Sequence, residues 1–180
     1  MADPQPFQPV LLVCGIIAGD DVLFRRAEDR LVEAFGAVDR SGPAIPFDLT
    51  EYYAGEMGTG LRRKFVSFES LIAPQDLSEV KIRTNAMEDA LREESGGSHR
   101  PVNIDPGYLT SAALIMATAK NFAHRIPLDK GIYAHLEFLF GKHGIRTLDW
   151  TYPDFRRPDH HPFFQESRKR YLNRIRTAKL

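Results

Sequence analysis

Hydrophobic and polar positions in the first forty residues predict a strand followed by a helix. Residues 10–17 form a continuous apolar run of strand length, which is typical of a strand covered on both faces. Gly19, Asp20 and Asp21 end that strand and supply an acidic helix cap. Apolar residues then recur at helical spacing up to the closing Gly36, at Leu23, Ala27, Leu31, Ala34 and Phe35.

A second helix is predicted after two further strands. We expect a short strand at residues 44–49 and another at 61–68, with a glycine-rich turn between them. Pro74 suits the first turn of the helix, and Glu88 is placed to pair with Arg92 one turn later on its surface. The predicted buried stripe consists of Leu77, Val80, Thr84, Met87 and Leu91.

The second half of the chain predicts mostly strands. Residues 101–104 are short and extended, and residues 125–140 indicate a hairpin that turns at 129–131. A further turn at 141–144 leads to a last strand at 145–150. Residues 112–119 are apolar, but such a short run does not distinguish a strand from a helix.

The order of these elements predicts an α+β protein. A β-α-β-β-α-β series followed by a meander favours a mixed or mostly antiparallel sheet with helices packed on one face and a ferredoxin-like first half. We predict a single domain over residues 1–180, with a disordered tail at 1–8 and a basic helix at 163–180. A chain of 180 residues buries enough surface to fold without disulfides or metal.

Composition narrows the classes of partner. Lys and Arg number 24, as do Asp and Glu, so the formal net charge of zero gives no long-range attraction to polyanions. The one cysteine, Cys14, lies in an apolar run and is expected to be a buried, inert thiol. The chain shows neither a signal peptide nor the roughly eighteen apolar residues of a membrane span, so we expect a cytoplasmic protein without a membrane partner.

Common catalytic signatures are absent from the sequence. The turn that contains Gly55, Glu56, Gly58 and Gly60 lacks the Gly-Lys-Ser/Thr ending of a P-loop, and it is either a connector or a backbone cradle for a small anion. Hydrolase, zinc-protease and Cys-x-x-Cys motifs are also missing. We predict no metal site, and a cofactor cannot be assigned from these residues.

One polar cluster lies in residues 102–110. Strand alternation places Asn103 and Asp105 on one face, where a carboxamide and a carboxylate together can bind a hydroxyl, an amine or a metal. Pro106 and Gly107 predict a turn directly afterwards, with Tyr108 just beyond it. The alternative reading is a type II turn in which Asp105 only satisfies nearby backbone donors.

A second polar cluster follows ten residues later. Lys120, Asn121, His124 and Arg125 bring two cations, an amide and an imidazole together after an apolar run. Arg125 and Lys120 can hold a phosphate or carboxylate, and His124 can transfer a proton near neutral pH. A solvated turn is the alternative, and Arg62 and Glu56 are weaker additions to the predicted site.

Three longer segments resemble a known family. They are FDLTEYYAGEMGTGLRRKFVSFESLI, VNIDPGYLTSAALIMATAKNFAHRI and TYPDF, and they resemble the bacterial family called domain of unknown function four-four-one-six. The resemblance runs from about Pro9 to Tyr171. It implies a cytosolic, stand-alone protein of this size and carries no established activity.

The leading hypothesis from the sequence is a site for an anionic, phosphorylated or nucleotide-like small molecule. Asn103, Asp105 and Tyr108 would orient it, Lys120 and Arg125 would neutralise it, and His124, with Asp105, would be the candidate for proton transfer. One alternative is a nucleic-acid or ribonucleoprotein accessory that uses the basic helix at 163–180. Another is a protein-interaction module. Whether the protein is an enzyme stays open.

Overall fold

The computed structural model describes residues 3–50, 52–97 and 99–177. Within them the predicted α+β class is confirmed. The strands are β1 Val10–Ala18, β2 Val38–Ser41, β3 Ile45–Pro46, β4 Arg62–Ile72, β5 Val102–Leu109, β6 Ala113–Thr118, β7 Ile126–Pro127, β8 Tyr133–Gly141 and β9 Gly144–Thr147. The helices are α1 Asp21–Phe35, α2 Ala54–Met57, α3 Leu77–Glu94 and α4 His161–Thr177. None of these helices is long and apolar enough to cross a membrane.

One antiparallel sheet contains all of the strands. Its order is β2-β4-β1-β5-β6-β8-β7, with β3 beside β4 and β9 beside β8. Strands β2, β4, β1 and β5, together with α1 and α3, form the ferredoxin-like β-α-β-β-α-β unit predicted for the first half. The hairpin of β7 and β8 and the turn between β8 and β9 also agree with the prediction.

Helices cover both faces of the sheet, whereas the sequence predicted them on one. On the first face, α1 and α3 pack against β1 through Phe24, Leu31 and Leu91. On the second face, α4 packs through Phe164 and Tyr171. Because residues of β1 and β4 are buried on both sides of the strand, the second face needs a helix of its own. The predicted buried Cys14 lies in the first core, where burial raises the pKa of its thiol.

Several predicted boundaries differ from those observed. The strand expected at 44–49 is only the two-residue β3, and β2 precedes it unpredicted. The last strand ends at Thr147, three residues early. The basic helix begins at His161, and the last three residues predicted for it lie outside the described residues. Of the predicted tail, residues 1–2 also lie outside them, and residues 3–8 are exposed without regular structure.

The turn predicted at Pro106 and Gly107 is wrong, because β5 continues through both residues. Even-numbered residues of β5 turn their N–H groups away from β1, as the bond from Ile104 N to Glu88 shows. Pro106 has no N–H, and the side of β5 to which that group would point is not paired with β6 at this residue. A Cβ on Gly107 would lie 2.5 Å from Ile115 O, so glycine lets β6 approach closely.

The sheet splits between β5 and β6. The two strands pair only at residues 107–109 with 114–116, although β6 continues to Thr118 beside β8. In the unpaired half of β5, side chains from α3 replace the missing strand. Lys81 donates to Ile104 O at 2.9 Å, and Glu88 accepts from Ile104 N at 2.7 Å. A cleft therefore opens at this place, and we call it the β5–β6 cleft.

Candidate functional site: the β5–β6 cleft

The β5–β6 cleft encloses about 470 Å³ between the sheet, α3 and the loops at residues 47–50, 52–53 and 152–155. Its charged lining consists of four cations and two carboxylates: Arg63, Lys81, Arg100, Lys120, Asp105 and Asp154. Its aromatic walls consist of Phe47, Tyr52, Tyr53, Tyr152 and Phe155. The cleft thus combines ring faces with a lining whose formal charge is positive.

Arg63 forms the buried floor of the cleft. Its side chain is 5% exposed and contacts Asp105 at 2.8 Å and Asp154 at 2.7 Å. Burial alone would raise the pKa of Asp105, but Arg63 and Lys81 hold that pKa below its ordinary value. For Asp154, burial outweighs the effect of Arg63 and the pKa is raised. The charge of Arg63 is therefore compensated within the protein.

Strand parity decides which arginine of β4 reaches the cleft. Arg63 shares a face with Phe65, toward α4. Arg62, which the sequence analysis proposed, points to the opposite face, where it contacts Asp21 at 2.8 Å and lies over the ring of Phe24. Its placement in the predicted site is wrong, because neighbouring residues of a strand face opposite sides.

Asn103 lies on the same side of the cleft as Asp105 and is 2% exposed. Its Oδ1 accepts a hydrogen bond from Arg100 at 2.6 Å, which fixes the orientation of the amide. Its Nδ2 forms no hydrogen bond of good geometry among the described residues, although the side chain lies close enough to Asp105 to help lower the pKa of that carboxyl. A buried amide N–H group without a partner costs stability unless a ligand or water satisfies it.

Arg100 also contacts two glutamates. It pairs with Glu88 and lies 3.7 Å from Glu56. Glu88 is buried, and that burial raises its pKa despite Lys81 and Arg100. The predicted surface pair of Glu88 with Arg92 is wrong, because Glu88 faces the unpaired half of β5 while Arg92 contacts Asp89.

Lys120 and Arg125 lie at the mouth of the cleft. The Lys120 ammonium is 3.8 Å from the centre of the Tyr52 ring. Arg125 donates to Lys120 O at 2.7 Å, to the Tyr152 hydroxyl at 2.6 Å and to His135 Nδ1 at 3.3 Å. None of these partners is a carboxylate, and neither cation forms a salt bridge within the described residues.

Two histidines connect the mouth to the interior. His135 is 1% exposed, and its Nε2 lies 3.0 Å from the carboxylate of Glu137. Since Arg125 donates to Nδ1 of His135, that nitrogen is the unprotonated one, and the hydrogen is on Nε2, on the side of the ring near Glu137. His124 Nε2 lies 3.2 Å from the same Nδ1. Burial, His135 and Arg125 lower the pKa of His124, which is therefore neutral at pH 7.

The two polar clusters of the sequence meet in space. Asn103, Asp105 and Lys120 line the cleft, and His124 and Arg125 lie at its mouth. The remaining predicted residues lie elsewhere.

Tyr108 packs beside Leu77 and Ile132 on the opposite face of β5. It is an even-numbered residue of the strand, whereas Asn103 and Asp105 are odd-numbered and face the cleft. Asn121 is exposed. Glu56 reaches the cleft only through Arg100. No group of three metal-ligating side chains occurs among the described residues.

Sequence reasoning missed several residues of the cleft. His135 and Glu137 occupy alternate positions of an apolar strand, and two polar residues on one face of such a strand were a signal that could have found them. Tyr152 and Asp154 belong to the TYPDF segment, to which the sequence analysis assigns a family resemblance and no role in the site. Lys81, by contrast, carries no signal, because a lysine in an amphipathic helix is normally solvated.

The basic helix α4 is docked by its arginines. Arg168 donates to Ser111 O at 2.7 Å, and Arg174 lies 2.6 Å from Asp39 and donates to two carbonyl oxygens of β4. Arg170 also contacts Asp39, at 3.1 Å. Much of the positive charge that the sequence predicted for a nucleic-acid surface is thus used to hold the helix on the sheet.

Fold and cleft together define an α+β protein whose antiparallel sheet opens around a buried charged cluster. The chain belongs to the family described as Domain of unknown function (DUF4416), whose model matches residues 8–171. This confirms the family resemblance of the sequence. Comparison with curated proteins and with solved structures gave no match.

Proposed function

We propose that the β5–β6 cleft binds an anionic small molecule, phosphorylated or nucleotide-like, whose negative group contacts Lys120 and Arg125. One observation carries this proposal. These two cations have only neutral partners within the described residues, whereas Arg63, Lys81 and Arg100 each have a carboxylate within 4.0 Å. A cation already paired with a carboxylate attracts an anion weakly, so the mouth is where an anion would gain most.

Arg125 is also held in place before any ligand arrives. Three of its five N–H groups are directed at neutral acceptors, which leaves two for a ligand. Because the guanidinium is fixed by Tyr152 and His135, a phosphate or carboxylate would bind without ordering a flexible side chain. The Glu137 carboxylate supports this arrangement indirectly, since it orients His135.

The interior of the cleft suits the rest of such a molecule. Asn103 Nδ2 offers a free donor, and the Asp105 carboxylate offers acceptor positions. Tyr53 and Tyr152 supply flat apolar surface on the walls. The cleft volume of about 470 Å³ falls within the roughly 300–1,000 Å³ typical of small-molecule sites. A ring that carries hydroxyl, amine or amide groups matches these features.

The buried charges further support a functional site. Arg63, Lys81 and Asp154 are buried and line the cleft, and Glu88, also buried, pairs with Arg100 of its lining. Removing several charged groups from water costs free energy that ion pairing only partly returns. Clusters with shifted pKa values of this kind are concentrated at binding and catalytic sites.

Any proton transfer in the cleft would fall to the histidines. Asp105 is held ionised by Arg63 and suits the orientation of a ligand better than proton donation. His124 is neutral at pH 7 and contacts His135, which lines the cleft. An imidazole in that state can accept a proton from a bound ligand.

Thermal melting in the presence of nucleotides and sugar phosphates tests this function. Wild type is expected to be stabilised by at least one compound, and Lys120→Ala/Arg125→Ala is expected to lose most of that shift. Lys142→Ala/Arg176→Ala removes the same number of charges at exposed positions in the β8–β9 turn and at the end of α4, and it should respond as wild type does. Unchanged shifts in the first double variant would contradict the proposed site.

The nucleic-acid alternative at α4 has less support, since Arg168, Arg170 and Arg174 are engaged with the sheet. Neutralising them is expected to loosen the helix and lower the melting temperature. A nucleic-acid interface on this helix would instead show binding that weakens steeply with salt. A protein-interaction module requires a large exposed apolar patch, whereas the exposed aromatic residues nearest the cleft lie beside the cations of its mouth.

A further inference from the structure

Exposed apolar side chains surround the mouth of the cleft. Five of the large hydrophobic residues that are exposed in the described chain lie in three loops there: Leu49, Tyr52, Phe122, Trp150 and Tyr152. Exposed apolar surface that is concentrated in one place usually marks a contact with another molecule. The cleft accommodates only a small molecule, so these loops would contact something that extends beyond it.

Three rings at the mouth form an ordered series, which we call the aromatic row: Phe122, His124 and Trp150. The imidazole of His124 stacks on the indole of Trp150, with 4.8 Å between ring centres and 9° between planes. Phe122 lies 5.2 Å from His124 on the same row. Trp150 is anchored by a bond from its Nε1 to Leu136 O at 2.8 Å. Phe122 is nevertheless 64% exposed and Trp150 38% exposed.

We propose that the aromatic row, Lys120 and Arg125 bind single-stranded nucleic acid, one nucleotide of which enters the β5–β6 cleft. This inference rests on the proposed function, because it takes the anionic group at Lys120 and Arg125 to be a phosphate of that chain. Bases adjoining the inserted nucleotide would stack on the exposed faces of Phe122 and Trp150. Surfaces that bind single strands combine cations with aromatic side chains in this way.

Charge complementarity selects this partner over a protein. Within the part of the chain that the structure describes, the cations at the mouth have no carboxylate partner, and exposed rings lie beside them. Each nucleotide of a single strand unites a negative phosphate with a flat base, which matches both features at once. An acidic peptide would satisfy Lys120 and Arg125 but would leave the rings exposed. The formal net charge of zero is compatible with this, since the attraction is local.

A length series tests the inference. Binding of adenosine monophosphate and of di-, tetra- and hexanucleotides of adenylate, as RNA and as DNA, would be measured at low salt by fluorescence anisotropy or competition. Wild type is expected to bind the hexanucleotide at least about tenfold more tightly than the mononucleotide. Phe122→Ala should remove roughly that factor for the hexanucleotide and leave mononucleotide binding unchanged.

Matched controls separate stacking from loss of structure. Val32→Ala removes an exposed apolar side chain from α1 on the other face of the sheet, and it should bind every length as wild type does. Phe122 is exposed, so Phe122→Ala is expected to melt at the wild-type temperature. Trp150→Leu provides a second variant, which should also lower hexanucleotide binding.

The outcomes distinguish this inference from the proposed function. Equal affinity for the mononucleotide and the hexanucleotide, or equal binding of hexaglutamate and the hexanucleotide, would overturn the inference. Mononucleotide binding that is lost in Lys120→Ala would still support the proposed function. Absence of binding by every length, together with no melting shift from any nucleotide or sugar phosphate, would overturn both.

Discussion

Lys81 donates from its ammonium group to the carbonyl oxygen of Ile104 at 2.9 Å, in the position where the next strand of the sheet would otherwise bond. Glu88, two turns further along α3, accepts from the amide of the same residue at 2.7 Å. Two side chains thus satisfy one backbone unit of β5 and allow β6 to diverge. The cleft exists because a helix, rather than a strand, completes the hydrogen bonding of β5.

Replacing Lys81 should therefore destabilise the fold as well as alter the cleft. In Lys81→Met the carbonyl of Ile104 loses its donor, and Glu88 loses one of the two cations that lower its pKa. We expect a loss of about 1–3 kcal/mol in the free energy of unfolding, measured by urea denaturation. Arg92→Met removes an exposed cation from the same helix and should change stability by less than about 0.5 kcal/mol. Equal stability of the two variants would contradict this role for Lys81.

A second prediction concerns the point where β5 and β6 meet. A Cβ on Gly107 would lie 2.5 Å from the carbonyl oxygen of Ile115 and would also overlap the sulfur of Met116. Gly107→Ala must therefore push the strands apart, at a cost of about 1–3 kcal/mol. Gly55→Ala is the matched control, because a Cβ there meets nothing within 4 Å and lies in the short helix α2. In thermal melting, Gly107→Ala should melt at a lower temperature than Gly55→Ala. A wild-type melting temperature for Gly107→Ala would show that β5 and β6 do not approach so closely at this residue.

Periodicity predicted much of this fold, and its failures have physical causes. The local preference of Asp-Pro-Gly for a turn was outweighed by β1, which pairs with β5 along its whole length. Pro106 costs the strand nothing, because its missing N–H faces the open cleft. No feature of residues 102–110 indicates that their neighbour on one side is a helix, since that contact depends on residues more than ten positions away.

The candidate site, like the fold, was only partly predicted, because its contacts depend on residues that are distant in the sequence. Alternation grouped Asn103 with Asp105, but only the position of α4 determines which of the neighbouring Arg62 and Arg63 is buried. The alternation of His135 with Glu137 on one face of an apolar strand indicates a polar site, but it does not indicate what the imidazole contacts. The imidazole of His135 contacts Glu137 on one side and Arg125 on the other, and both contacts appear only once the chain is folded.

The stacked pair of His124 and Trp150 allows a direct test of where an anion binds. Trp150 is the one tryptophan of the chain, so the emission of the protein reports on this ring. A protonated imidazole quenches a stacked indole, and burial, His135 and Arg125 lower the pKa of His124. Emission should therefore fall as the pH is lowered, with a midpoint below the ordinary histidine pKa of about 6.5. In His124→Gln this transition should disappear.

Adenosine monophosphate should raise that midpoint. A phosphate held by Lys120 and Arg125 offsets the positive charge that disfavours the imidazolium of His124, so the ring binds its proton at higher pH than in the free protein. Linkage requires the converse, that the nucleotide binds more tightly as His124 becomes protonated. Lys120→Ala should retain the pH transition and show a smaller shift with the nucleotide. If the nucleotide stabilises the wild type against melting but leaves the midpoint unmoved, its phosphate lies away from the mouth, and the assignment of Lys120 and Arg125 fails.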